Sequence, residues 1–234
     1  MKLKKNTIFF KFFAFFIIKK YMQKTYKFSE ITYKILRKEI INIEVVRSQN
    51  IFKEWFSFNY EINSIDLEYL KKLIETNRYN IDNYIEYQLF GYFINPLLHK
   101  VYFYGDNYRE WLQEEISGIV NNIKIIGILD FMVASGTEEA KIPYFFIQEF
   151  KRSSSAKHPK GQLLAQMTVA IENNKINKMR GAYNIGRFWF FIVLEKINKS
   201  KYQYHESESF DSLKINDLKQ IFKILKAVKH KYCK

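Results

Sequence analysis

Apolar side chains at helical spacing predict two helices in the first half of the chain. The first takes Ser64 as its N-terminal cap and carries a hydrophobic stripe over residues 67–74. The second covers residues 82–98 with Ile85 facing inward, and the pre-proline residue Asn95 marks its end. Because both patterns are amphipathic, each helix is expected to pack one face against another element.

Continuous apolar runs predict strands in the second half of the chain. Residues 123–133 and 142–151 form two such runs, and the turn-forming cluster at 135–139 joins them as an antiparallel hairpin. The remaining predicted elements are a helix from Pro159, a strand over 183–194 broken at Gly186, a partner strand over 202–205 and a helix from Asn216. This alternation of strands and helices predicts an α/β (α+β) fold.

The chain divides into three parts by pattern. Residues 1–21 are a basic and aromatic leader, residues 22–80 an N-terminal extension with helices, and residues 81–234 the main domain. Within the extension, residues 26–60 are ambiguous because a helix capped by Ser29 and a strand near residue 40 both fit the pattern.

Three interpretations of the leader remain open. It is translated sequence upstream of a true start at Met22, a segment that lies along a membrane surface, or a secretion signal. The last is the weakest interpretation, because Lys19 and Lys20 stand where a small-residue cleavage site is expected. A membrane partner is therefore predicted only if the leader is retained.

Composition limits the classes of function. The 234 residues have a formal charge of +14 and one cysteine, Cys233, which excludes an intrachain disulfide and a four-thiolate zinc site. A single thiol is compatible with a reducing compartment, so a cytoplasmic location is predicted. The positive charge suggests a polyanionic partner, but six lysines lie in residues 1–21, and the rest of the chain carries only +8.

Ionisable residues inside apolar strands are the strongest chemical signal. Asp130 interrupts the first strand of the hairpin, and Glu149 and Lys151 end the second. The period of two places Glu149 and Lys151 on one face of the strand. Burying carboxylates is costly unless a cation compensates, so two of them on paired strands predict a shared Mg²⁺ or Mn²⁺. Lys151 would then lie beside a metal-bound water.

The tripeptide Glu-x-Lys is weak evidence without this context. Two more acidic-x-Lys tripeptides occur in the chain, beginning at Glu139 and at Asp217. The first falls in the predicted hairpin turn and the second in a helical pattern. Neither is expected to present its side chains from a buried strand.

An acidic residue on one strand, a strand that ends in Glu-x-Lys and a following helix with glutamines resemble the PD-(D/E)xK nuclease superfamily. Glu86 matches the acidic residue of the family's first core helix, and Gln162 and Gln166 resemble its Gln-x-x-x-Gln helix motif. The resemblance covers residues 82–194 and departs from the family pattern in lacking a proline before Asp130. It implies a restriction-endonuclease-like αβββαβ core with a mixed four-stranded central sheet flanked by helices.

The resemblance implies a Mg²⁺-dependent enzyme that hydrolyses phosphodiester bonds, with DNA as the expected substrate and RNA as the alternative. Metal ligands would be Asp130, Glu149, the carbonyl of Phe150 and, through water or a second ion, Glu86. Lys151 would orient or activate the attacking water, and Gln166 would stabilise the arrangement. Residues expected to contact nucleic acid are Arg152, Lys157, Lys160 and Gln162.

Other interpretations of the same residues stay open. A catalytically inactive nucleic-acid-binding or protein-interaction module would retain the fold without the chemistry. Asp130 and Lys151 could instead form a buried ion pair in a domain of another function. Sequence specificity, if any, would come from an unidentified protein partner, because the pattern shows no second domain to supply it.

Overall fold

A nine-stranded mixed sheet runs through the part of the chain that the computed structural model describes, residues 24–153, 155 and 158–233. Its strands are β1 (Thr25–Lys27), β2 (Asn42–Val45), β3 (Tyr108–Val120), β4 (Ile123–Ser135), β5 (Lys141–Lys151), β6 (Lys178–Ile185), β7 (Phe188–Lys196), β8 (Lys201–Glu206) and β9 (Phe210–Asp211). Parallel pairs occur at β1–β4, β5–β6 and β2–β8, and the other pairs are antiparallel.

Helices cover both faces of this sheet. They are α1 (Tyr33–Ile35), which continues as a π-helix over Leu36–Ile40, α2 (Lys53–Phe56), α3 (Ser64–Asn77), α4 (Glu86–Leu89), a π-helix over Phe90–Ile94, α5 (Asn95–Val101), α6 (Lys160–Asn174) and α7 (Ile215–Tyr232). One hydrophobic cluster joins the sheet to α2, α3, α5 and α7, and a second joins it to α6 and the segment around α1. The mixed α/β architecture expected from the sequence is confirmed.

The strands of the sheet follow the order β1-β4-β5-β6-β7-β8-β2, with β3 on the other edge of β4 and β9 beside β7. The hairpin of β4 and β5 and the pairing of β7 with β8 are as predicted. Two strands of the segment 22–80 belong to the sheet, because β1 pairs with β4 and β2 pairs with β8. The sheet thus extends well beyond a four-stranded core.

Two helix starts differ from the prediction. Asn63, not Ser64, caps α3, since its side-chain oxygen accepts a hydrogen bond from the backbone N–H of Asp66 at 2.8 Å. The second helix begins at Glu86, so Ile85 precedes it and is half exposed instead of facing the core.

The second helix also continues past the proline that was expected to end it. The helical path runs through Pro96 to residue 101 because a π-helical turn, Phe90–Ile94, immediately precedes α5. Proline cannot donate to the carbonyl four residues earlier, that of Tyr92, and the side chain of Asn77 donates to this carbonyl instead, at 3.3 Å. The side chain of a neighbouring helix thus compensates for the missing backbone donor.

Two strand predictions were incomplete. Residues 183–194 are parts of two strands, β6 and β7, joined by a turn in which Gly186 has a φ of 55°. Strand β3 was not predicted at all. In the ambiguous segment both elements exist: Thr32, not Ser29, caps α1, and residues 42–45 form β2.

Among the described residues, no helix is long and apolar enough to cross a bilayer. Residues 1–21 lie outside the described residues, so the three interpretations of the leader stay open.

Close packing around Gly161 gives a test of the fold. A Cβ at this position would lie 2.3 Å from the backbone nitrogen of Tyr33, because the segment before α1 packs directly on the first turn of α6. Gly161→Ala is therefore expected to lower the free energy of unfolding by about 1–3 kcal/mol in urea titrations. Gly91→Ala is the control, since a Cβ there meets no atom of the described residues within 4 Å and the change is expected to be neutral or stabilising. Equal effects of the two substitutions would contradict this packing.

Candidate active site

Strands β4 and β5 separate beside Asp130. Strand β4 pairs with β5 from Phe131 onward and with β1 at residues 124–126, so the intervening residues have no strand partner on that edge. On a regular strand, side chains three residues apart point to opposite faces. Leu129 and Met132 instead pack in the same hydrophobic cluster, so the alternation of side chains is interrupted between them. In this opening, Asp130 Oδ2 accepts a hydrogen bond from the backbone N–H of Phe150 at 3.1 Å.

Three carboxylates surround the ammonium group of Lys151. Its Nζ atom lies 2.7 Å from Glu149 Oε1, 3.3 Å from Glu86 Oε1 and 3.9 Å from Asp130 Oδ2. It also donates to the carbonyl oxygen of Phe150 at 3.1 Å. Residues from the helix start at 86, from the middle of β4 and from the end of β5 therefore meet at a single point.

Glu149 is the buried member of this group. Its side chain has no exposed surface, and Gln166 Nε2 on α6 donates to its second oxygen at 2.8 Å. Burial raises the pKa of Glu149 to about 8, and the nearby charge of Asp130 acts in the same direction against the opposing effects of Lys151 and Gln166. This carboxylate is thus poorly compensated as an anion.

The pKa of Lys151 is controlled mainly by the surrounding acids. Burial alone would lower its pKa, but the charges of Glu149 and Asp130 outweigh this effect and hold the pKa above its ordinary value. With 15% of its side chain exposed, the ammonium remains charged and faces the opening. In this state Lys151 is a fixed cation and not a proton acceptor.

The oxygen atoms around Lys151 are of the type that Mg²⁺ and Mn²⁺ bind. Asp130, Glu149 and the Phe150 carbonyl supply two carboxylates and one neutral oxygen, a donor set that fits a hard cation. The raised pKa of Glu149 agrees with this, because it shows that the ionised carboxylate is disfavoured and that a bound cation would stabilise it. As the side chains are arranged, however, no three His, Cys, Asp or Glu side chains of the described residues are grouped closely enough to hold a metal ion.

A cavity of about 390 Å³ reaches Lys151 from the start of α6. Lys160 and Gln162, both predicted to contact nucleic acid, line it together with His158. Lys160 is ion-paired with Glu206 at 3.0 Å, so its charge is partly neutralised. The cavity thus extends from the start of α6 to the carboxylate cluster.

Of the other two predicted nucleic-acid contacts, only Arg152 is among the described residues, and it does not line this cavity. Arg152 follows directly after β5 and is exposed to solvent. Lys157 lies outside the described residues, so its prediction stays open.

Sequence reasoning missed one residue of the site. Gln113 on β3 has a φ of 53° and donates from Nε2 to Asp130 Oδ1 at 3.3 Å. It stands opposite the point where the alternation of β4 changes phase. No motif marks it, and only the assignment of β3 as a strand beside β4 would have brought it to attention.

The two additional acidic-x-Lys tripeptides lie where they were predicted. Glu139 and Lys141 form an exposed pair at 3.3 Å beside the hairpin turn. Asp217 is in the first turn of α7, where it accepts a hydrogen bond from the backbone N–H of Asp211. Only the tripeptide at Glu149 lies in a buried strand facing a second carboxylate.

Comparison of the chain with protein-family models and with curated proteins finds no match. Any functional assignment therefore depends on the geometry and chemistry of the carboxylate cluster itself.

Proposed function

We propose that the chain is a metal-dependent nuclease of the PD-(D/E)xK type with a restriction-endonuclease-like core. In support, the helical path at 86–101 is followed by β3, β4, β5, α6 and β6, which is the order αβββαβ. Strands β5 and β6, which precede and follow α6 in the chain, pair in parallel, and this is consistent with the same arrangement.

The observation that carries the proposal is the convergence of Glu86, Asp130 and Glu149 on Lys151, with Gln166 behind them. These residues come from two helices and two strands, so local sequence alone does not bring them together. A structural ion pair requires one acid for one lysine, whereas this lysine has three acids. With all three acids ionised the cluster would carry a net negative charge, which a second cation would balance.

Each side chain then has a chemical role. Asp130, Glu149 and the Phe150 carbonyl would hold Mg²⁺, with Glu86 at the exposed side, and the bound ion would lower the pKa of an attacking water. Lys151 holds a proton and stabilises negative charge that develops on the phosphate. Gln166 fixes the orientation of Glu149 through the hydrogen bond from its amide.

The direct test is hydrolysis of plasmid, linear and single-stranded DNA, and of RNA, by the full chain with Mg²⁺ or Mn²⁺. Glu149→Gln and Lys151→Ala are each expected to reduce the rate at least 100-fold, because each removes a group that contacts the reacting atoms. Glu139→Gln and Lys141→Ala are the matched controls and should retain full activity, since this pair is exposed in the turn. Equal trace activity in all five proteins would refute the proposal.

A second candidate is a non-catalytic nucleic-acid-binding module on the same fold. It is favoured by the close contacts of Lys151, which already provide one cation among the carboxylates, and by the lack of a ready three-residue metal group among the described residues. Such a module would bind DNA in a salt-dependent but metal-independent manner. Binding that is indifferent to Mg²⁺, with no hydrolysis of any substrate, would favour it.

A further inference from the structure

Another cavity, of about 300 Å³, lies along β3 at the edge of the sheet. Its walls are formed by Tyr104 and by four consecutive residues of the strand, Arg109 to Leu112. None of these residues belongs to the carboxylate cluster around Lys151. The volume suits one small planar ligand and not a large one.

Three consecutive residues of this cavity contain buried polar atoms that have no hydrogen-bond partner among the described residues. These atoms are Arg109 Nε, Glu110 Oε2 and Trp111 Nε1. The side chain of Glu110 is only 6% exposed, and its other oxygen accepts a hydrogen bond from the Tyr104 hydroxyl at 2.9 Å. Since buried polar groups are normally hydrogen-bonded, one free acceptor and two free donors together indicate a missing polar partner.

Aromatic rings give the cavity flat walls. The guanidinium carbon of Arg109 lies 5.5 Å from the centre of the Tyr104 ring and 5.4 Å from the centre of the Trp111 ring. Arg109 is held in this position by a hydrogen bond to the Thr137 carbonyl at 3.1 Å. A planar ligand that offers both N–H donors and acceptors would match these walls and the three unpartnered atoms.

We propose that this cavity binds an amino-bearing nucleobase of the substrate strand, whose exocyclic amino group donates to Glu110. The inference rests on the proposed function for its ligand class, because Glu110 lies three residues before Gln113, which contacts Asp130. Three residues of a strand span about 10 Å. One nucleic-acid strand can therefore reach both the cavity and the carboxylate cluster. Cytosine and adenine carry the required amino group and thymine does not.

The test measures fluorescence anisotropy of labelled decamers of deoxycytidine, deoxyadenosine and thymidine with the full chain in EDTA. The first two decamers are expected to bind at least tenfold more tightly than the third, since a hydrogen bond to a buried carboxylate is lost with thymine. Glu110→Gln should reduce this preference to within about threefold. Glu115→Gln removes the same charge from an exposed position on β3 and should leave the preference unchanged.

A folding defect in Glu110→Gln would not remove the test. Trp111→Phe retains an aromatic wall and loses only the indole N–H, and it should weaken binding of all three decamers. Absence of any base preference in the unmodified protein, or equal effects of Glu110→Gln and Glu115→Gln, would overturn the inference. Selective binding without hydrolysis would leave the inference standing and refute the nuclease proposal, whereas hydrolysis without selectivity would do the reverse.

Discussion

Replacing Lys151 with alanine is expected to destabilise the metal-free protein by about 3–5 kcal/mol at pH 8, because the substitution leaves buried carboxylates without their cation. Glu149 has no exposed surface, and Asp130 has only 14% of its side chain exposed, so water compensates little for the loss. Urea titration in EDTA measures the effect. Lys141→Ala, which breaks an exposed ion pair, should change stability by less than about 1 kcal/mol.

The same substitution separates a metal site from a simple ion pair. If the oxygen atoms around Lys151 bind Mg²⁺, the ion should stabilise Lys151→Ala more than the unmodified protein. The reason is that the carboxylates of the variant have no ammonium group to balance their negative charge. Adding Glu149→Gln to Lys151→Ala should recover part of the lost stability in EDTA and reduce the stabilisation by Mg²⁺. A Mg²⁺ response that is the same with and without Lys151 would argue against a metal at this position.

The sequence predicted the carboxylate cluster because its signal is local. Asp130, Glu149 and Lys151 are ionisable residues within continuous apolar strands, and the period of two determines which of them share a face. Their unusual placement is evident from immediate neighbours alone. A hairpin, which is also a local element, then brings the two strands together.

What the sequence did not predict depends on distant partners. Strand β3 lies at an edge with one polar face, so its apolar period is weak, and with it Gln113 was missed. Strand β2 pairs with residues 201–204, far along the chain, and nothing within its own four residues indicates this partner. The helix through Pro96 likewise depends on a hydrogen bond from Asn77 on another helix.

Raising the pH from 5 to 9 is expected to destabilise the metal-free protein through Glu149, by about 3–5 kcal/mol. Its pKa is about 8 in the folded protein against an ordinary value of 4.5, so the folded state retains a proton that the unfolded chain releases. The stability linked to this proton is fully present below pH 4.5 and is lost as the pH rises through about 8.

Lys151 does not reverse this trend, because its pKa is raised and its contribution is lost only at more alkaline pH. The measurement is the urea midpoint of the unmodified protein and of Glu149→Gln at pH 5, 7 and 9 in EDTA. As the pH rises, the urea midpoint of the unmodified protein should fall relative to that of Glu149→Gln, since glutamine has no proton to lose. Parallel pH profiles would show that Glu149 does not titrate between pH 5 and 9 in the folded protein, and a pKa of about 8 for this group would then be wrong.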